Sequence, residues 1–399
     1  MKRSLLPGKI SLARLMSRRQ ALTLGLGSLT TLTVLSMSKL AALSYLIDTF
    51  KTDQKTKTSA KRTFEITTTT PLKTRAKAKG IIYGAFPQVG SEDFRRDPKW
   101  EALFIRECGM MVAGSYWDQT RPTATSFDFN ETDSMVKFAA DHQMLVRGHP
   151  LVWYNAPAPW MKATINRKNA RQILINHVKT VVGRYAGKMH SWDVVNEAIE
   201  FKNGQSRLRK DIWSESIGPE YIELSFRTAA QADPKALLVY NETDLEYSEV
   251  HQIAVLKLLE KLKSQGTPLH ALGIQSHLEG NRTDFNPQKF RKFIRNVADL
   301  GLKVMITELD VIDQDLPLDI NQRDQIIAGV YEDYLTTVLA EKAVISVTNW
   351  GLSDRYTWID QYVPRKDKSP SRPLPFDRNL KPKLAWNGIS RAIDRSPKR

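Results

Sequence analysis

From Gly80 onward, short apolar runs alternate with longer stretches in which apolar residues recur every three or four positions. The runs are IIYGAF (81–86), MMVAGSY (110–116), MLVRGHPLVW (144–153), MHSWDVVNE (189–197), ALLVYNE (236–242), HALGIQSHL (270–278), KVMITELDV (303–311) and AVISVTNWG (343–351). Continuous apolar runs of this length predict strands buried on both faces. The intervening stretches predict amphipathic helices. After the sixth run, Asn286 is a good N-cap and Pro287 suits the first helical position. Phe290, Phe293, Ile294 and Val297 then make one apolar stripe, and Gly301 stops the helix. After the second run the same logic predicts Asn130 as cap with Asp133 in the first turn.

Strand–helix alternation implies parallel strands joined by right-handed crossovers. Eight such units predict an α/β fold of the (β/α)8 TIM barrel type. A doubly wound open sheet competes, but no GxGxxG follows the first run, and eight near-regular units fit closure better.

A barrel places its chemistry at the C-terminal strand ends. There the runs carry Gly148-His149, Asn196-Glu197, Asn241-Glu242, Gln275 with His277, Thr307-Glu308 with Asp310, and Trp350. Burying such groups without partners is costly, so a shared polar site is the economical explanation. Glu197 and Glu308 end the fourth and seventh runs. Two acids facing each other across a barrel mouth can split a glycosidic bond, one protonating the leaving oxygen and the other attacking or stabilising the anomeric carbon. Either Glu alone reads first as a salt-bridged strand-end acid; the two together, in WDVVNE and ITELD, point to catalysis. Glu308 and Asp310 are two apart on one strand and face the same side. His277 between them would have its tautomer fixed and would orient Glu308. Trp153, Trp350 and Trp358 fall at or just after strand ends, where aromatic faces can stack on sugar rings and their N–H groups can meet hydroxyls.

Charge changes the picture only at the N-terminus. The net charge of the chain is +16, and residues 1–79 carry +13 of it. The excess therefore does not form a nucleic-acid groove on the folded body. Residues 1–19 are basic, and residues 20–38 are uncharged and apolar. This predicts an export signal over 1–45, and Ser17-Arg18-Arg19-Gln20-Ala21-Leu22 resembles a twin-arginine motif, with Ala21 where Phe is usual. The expected destination is periplasmic or secreted, with an N-terminal membrane anchor if the signal is uncleaved. Residues 46–71 predict a basic, Thr/Lys-rich linker, and 72–399 the catalytic barrel. Cys108 is the single cysteine, so no intrachain disulfide can form. No CxxC or HExxH occurs, and neither a metal nor a cofactor is expected.

Several segments together resemble glycoside hydrolase family 10, the family of endo-β-1,4-xylanases. They are RGHPLVW (147–153), WDVVNEA (192–198), IGPEYIELSFRTAAQADP (217–234), GIQSHL (273–278), ITELDV (306–311), WGLSDRYTW (350–358) and RPLPFD (372–377), in family order. The resemblance implies a retaining endo-1,4-β-xylanase acting on xylan through a covalent glycosyl-enzyme. It implies Glu197 as acid/base and Glu308 as nucleophile, with Asn196 on the 2-hydroxyl of the cleaved sugar and Asp310 behind His277. His149, Gln275, Trp350 and Trp358 would line that subsite, with Trp153 also in the sugar cleft. A monomer is expected. The chain departs from the family where Glu-Asn-x-x-Lys-Trp is usual: here it reads Ala113-Gly114-Ser115-Tyr116-Trp117. Tyr154 and Ala156 replace a usual His and Gln, and Asn241-Glu242-Thr243 replaces Asn-Asp-Tyr. The first two changes fall where the family binds the next sugar on the non-reducing side. The same chemistry on another β-linked polysaccharide is therefore the alternative. A non-catalytic sugar-binding barrel would not need both glutamates, and a metal-dependent hydrolase would find only His149 and His277 at the strand ends.

Overall fold

Parallel pairing runs around the molecule until the sheet meets itself. The strands are β1 (Ile82–Ala85), β2 (Met110–Gly114), β3 (Leu145–His149), β4 (Ser191–Asn196), β5 (Ile199–Lys202), β6 (Gln205–Leu208), β7 (Leu237–Glu242), β8 (Ala271–Ile274), β9 (His277–Glu279), β10 (Lys303–Ile312) and β11 (Val344–Asn349). Their order is β11-β1-β2-β3-β4-β7-β8-β10, and β10 pairs back with β11. The computed structural model describes residues 62–65, 68–88, 94 and 96–399. The closed eight-stranded parallel barrel with intervening helices is the one expected from the alternation. The expected signal, and the first part of the expected linker up to residue 61, lie outside the described residues.

All eight barrel strands come from the expected runs, seven with shorter bounds and β10 extended by one residue to Ile312. The helices bury the expected faces. Helix Pro287–Asp299 covers Phe290, Phe293, Ile294 and Val297, and the Asn286 side chain accepts the Lys289 N–H at 3.0 Å. The second helix differs from expectation. It runs Asn130–Asp141 with Phe129 in the cap position, and Asp128 rather than Asn130 supplies the accepting oxygen, to the Asn130 N–H at 3.0 Å. Asp128 stands one residue before the cap and still satisfies a donor of the first turn.

One element lies outside the alternation. β5 and β6 form an antiparallel hairpin directly after β4. Its turn is Asn203-Gly204, with φ of 52° and 74°. Both turn positions require the left-handed region, which Asn and Gly tolerate best.

The described tail of the linker is fixed to the barrel. Phe64 is buried, and its carbonyl accepts the Asn387 side-chain N–H at 2.6 Å. Arg75 donates to the Thr68 carbonyl and hydroxyl at 2.9 and 2.7 Å and pairs with Asp394 of the last helix, Leu384–Arg395. The apolar Phe64 gives this polar stretch a point of attachment that its overall composition hides.

Candidate active site

The barrel interior is polar near its C-terminal end. Arg147 of β3 is fully buried; it pairs with Asp193 of β4 and donates to the Thr307 carbonyl at 3.2 Å. Asp193 also bonds His149 Nδ1 at 2.6 Å. One buried acid thus balances one buried cation and orients the imidazole above it, which lies 3.9 Å from Glu308 Oε1.

Glu308 receives two further contacts. Asn241 Nδ2 donates to Oε1 at 2.7 Å, and His277 Nε2 lies 3.3 Å from Oε2. His277 Nδ1 lies 2.9 Å from Asp310 Oδ1. Burial alone would raise the Glu308 carboxyl. The field of His149, the His277 hydrogen bond and charge, and Arg147 outweigh it and hold the group below its ordinary range. Burial also works against the His277 cation, but the Asp310 charge and hydrogen bond, reinforced by Glu308, hold its pKa well above the usual value.

Glu197 follows β4 with a positive φ of 56°. For a glutamate this conformation is costly and must be held by its surroundings. Its N–H donates to the Asn241 carbonyl at 2.8 Å. Its own carbonyl accepts Arg209 Nε at 2.8 Å. Two residues on, Ile199 N–H donates to Glu242 at 3.2 Å. The Glu197 carboxyl accepts Gln275 Nε2 at 2.8 Å and Asn196 Nδ2 at 3.2 Å. Burial holds this carboxyl above its ordinary range; the Gln275 bond opposes the shift and the Glu242 charge adds to it. The two glutamates are thus pushed in opposite directions inside one network, the arrangement that separates an acid from a nucleophile.

Asn241 joins the two halves. Its amide nitrogen reaches both Glu308 and Asn196 Oδ1, the latter at 2.8 Å, and its oxygen accepts Thr307 Oγ1 at 2.7 Å. Gly273 of β8 makes this possible, since a Cβ there would stand 2.3 Å from Asn241 Oδ1. In the sequence Asn241 is one of several strand-end polar residues, and nothing in the pattern singles it out.

All ten sequence-selected residues surround this network. Trp350 stacks on Phe86 at 4.5 Å and meets His149 edge-on at 5.1 Å. Trp358 stands 5.1 Å from His277. Its N–H donates to Asp310 at 2.8 Å, so it does not await a sugar hydroxyl; the carboxylate is the stronger acceptor. The Trp153 N–H is buried without a partner. Tyr116 was not selected for the site, yet its ring stands 5.8 Å from His149 and 6.0 Å from Trp153. Arg209 was likewise missed. Among the described residues, no group of three or more His, Cys, Asp or Glu is placed to hold a metal ion.

Comparison with known proteins finds relatives over most of the chain. The family model described as "Glycosyl hydrolase family 10" matches residues 71–392. Endo-1,4-beta-xylanase B of Thermotoga neapolitana is 32% identical over 301 residues, 74% of this chain and 84% of that protein. A beta-1,4-xylanase of Dictyoglomus thermophilum is 35% identical over 279 residues, 68% of this chain and 77% of that protein. Among solved structures, xylanase 10B of Thermotoga petrophila in complex with xylobiose superimposes with a TM-score of 0.76 at 28% identity, covering 83% of this chain and 99% of that one.

Proposed function

This chain belongs to glycosyl hydrolase family 10, and from that membership we propose that Glu197 and Glu308 are the acid/base and nucleophile of a retaining endo-1,4-β-xylanase. The enzyme hydrolyses internal β-1,4-xylosidic bonds of xylan. The observation that carries the assignment is the geometry of two buried carboxyls in one network, Glu308 against His277 and Asn241 and Glu197 against Gln275, with burial and neighbours shifting them in opposite directions. Glu308, held ionised by His149, His277 and Arg147, attacks the anomeric carbon. Glu197, whose pKa burial raises, donates to the leaving oxygen. Water then takes the leaving group's place, and Glu197 returns as base to activate it. Asn241 and His277 fix the nucleophile, with Asp310 behind His277. Asn196 meets the 2-hydroxyl; its contacts with Glu197 and Asn241 support this role. His149, Gln275, Trp153, Trp350 and Trp358 form the walls around the sugar.

Specificity is less strict than the reaction. The family resemblance puts Val112, Ala113 and Tyr116 where an acid, an amide and a lysine are usual. Each missing hydrogen bond to a neutral sugar costs on the order of 1 kcal/mol, and two or three weaken that subsite by roughly 10- to 1,000-fold. Tyr116 and Tyr154 can restore part of this by stacking, which tolerates varied ring substitution. We expect low kcat/KM on short linear xylo-oligomers, with tolerance of decorated chains or other β-linked glycans. The measurement is kcat/KM on xylotriose through xylohexaose. A steep rise when a second glycone sugar is added contradicts the weak subsite.

The enzyme is read as an exported monomer, either periplasmic or secreted. Support comes from the basic and apolar segments of residues 1–38, the Arg18-Arg19 pair and a lone buried Cys108, which suits a protein folded before export. Replacing Arg18 and Arg19 together by Lys is expected to leave the enzyme inside the cell, because lysine does not reproduce the guanidinium group. Undiminished secretion of the double variant, measured as xylanase activity outside the cytoplasm, indicates the general secretory route instead.

A further inference from the structure

Beside Glu197 sits a guanidinium held in place by contacts other than an ion pair. Arg209 follows the β5–β6 hairpin and is half-buried. Its Nε donates to the Glu197 carbonyl at 2.8 Å, and its guanidinium carbon lies 3.9 Å from the centroid of the Tyr154 ring. The hydrogen bond fixes one edge of the fork and the ring fixes its plane. Among the described residues no carboxylate lies within 4.0 Å of it, and Nη1 and Nη2 have no hydrogen-bond partner. The nearby acids are engaged elsewhere: Glu242 with Tyr240, Ile199 and Thr243, and Asp211 with the first turn of helix Ile212–Ser216. Asp244 feels the Arg209 charge without contacting it.

The surroundings favour an anion as well. Lys202 on β5 and Lys210 next to Arg209 have no carboxylate within 4.0 Å among the described residues, whereas Arg207 is paired with Glu200. Tyr154 is 39% exposed and stands 5.9 Å from Trp153, so the ring under the guanidinium is continuous with the aromatic wall of the cleft.

We propose that Arg209, stacked on Tyr154, is a binding site for the carboxylate of a uronic acid substituent carried by the xylan chain in the cleft beside the catalytic pair. The location follows from the contacts. Arg209 is bonded to the backbone of Glu197 and lies on a ring that adjoins Trp153 of the cleft wall. The chemistry follows from the free edge, since Nη1 and Nη2 present two parallel N–H donors, the geometry that matches a carboxylate. The inference rests on the xylanase reading above and adds the class of decoration.

The test compares kcat/KM on three polymers: unsubstituted xylan, glucuronoxylan, and the same glucuronoxylan with its carboxyl groups reduced to alcohols. The wild-type enzyme should prefer the carboxylate form over the reduced form by about 3- to 30-fold, the range between an exposed ion pair and a charge-assisted one. The preference should shrink as salt is raised. Arg209→Gln and Arg209→Lys also disturb the Glu197 carbonyl contact and lower all three rates, but that common factor cancels in the ratio. The ratio should fall to about 1 in Arg209→Gln and to an intermediate value in Arg209→Lys. In Tyr154→Leu, which keeps the charge and removes its platform, the ratio should fall partway. Equal rates of the wild type on the carboxylate and reduced forms, with normal turnover of unsubstituted xylan, overturn the uronate site alone. A preference that survives Arg209→Gln overturns the assignment to Arg209. Absence of turnover on all three polymers overturns the xylanase reading and this site with it.

Discussion

Glu308→Gln is expected to lower kcat/KM on xylan by roughly 10⁴-fold or more, the scale seen when a covalent nucleophile is removed. The amide has the same shape, so its oxygen can still accept Asn241 Nδ2, which now bonds Glu308 Oε1 at 2.7 Å. Its nitrogen then faces His277 Nε2. A protonated His277 would set donor against donor, so the imidazole must lose its Nε2 proton and keep the one aimed at Asp310. Glu308 is one of the groups that raise the His277 pKa, so the substitution should lower that pKa while the Asp310 contribution remains. Two measurements check this. A 2-fluoro-xylobioside with an activated leaving group should label the wild type and leave the variant unlabelled by mass spectrometry. Titration of the His277 ring by NMR should show a lower pKa with the fold unchanged. Labelling of the variant at the wild-type rate removes Glu308 from its role.

The barrel is legible in the sequence because each strand is buried on both faces and writes its own apolar run. The strand ends are legible because a polar residue inside such a run has no cheap alternative to a shared site. This is why Glu197, Glu308, His277 and Asp310 could be selected together from VNE, QSH and ELD. What escaped depends on contacts between distant segments. Asn241 carries the bridge between the acids only because Gly273 leaves room for it and Thr307 turns its oxygen away. Arg209 reaches the Glu197 carbonyl only because a hairpin interrupts the strand–helix rhythm. That hairpin had a local signature, Asn203-Gly204 between two short alternating segments, that the stronger strand–helix rhythm masked. The positive φ of Glu197 left no sequence signal, since glutamate there is set by function and held by Asn241 and Arg209.

Removal of the acid/base group should separate the two chemical steps. Glu197→Ala is expected to lower kcat/KM on xylan by about 10²- to 10⁴-fold, the ordinary worth of positioned proton transfer. On aryl xylobiosides with activated leaving groups, the first step needs no proton, so glycosyl-enzyme formation by Glu308 should persist at near the wild-type rate. The intermediate then accumulates because nothing activates the water, and a burst of aryl alcohol should precede slow turnover. Added azide, which needs no general base, should restore turnover and give the β-glycosyl azide. The pH profile supplies an independent sign. In the wild type the Glu197 carboxyl must be protonated for the first step, and its pKa is raised by burial, so activity on xylan falls on the basic side as pH passes that raised value. The acidic limb belongs to Glu308, which must be ionised and is held below the usual range. Glu197→Ala should therefore lose the basic limb on activated substrates and keep the acidic one. In the wild type the sugar released first should be the β anomer by NMR. An equal loss on activated and unactivated substrates, with the basic limb intact, assigns the proton to another residue.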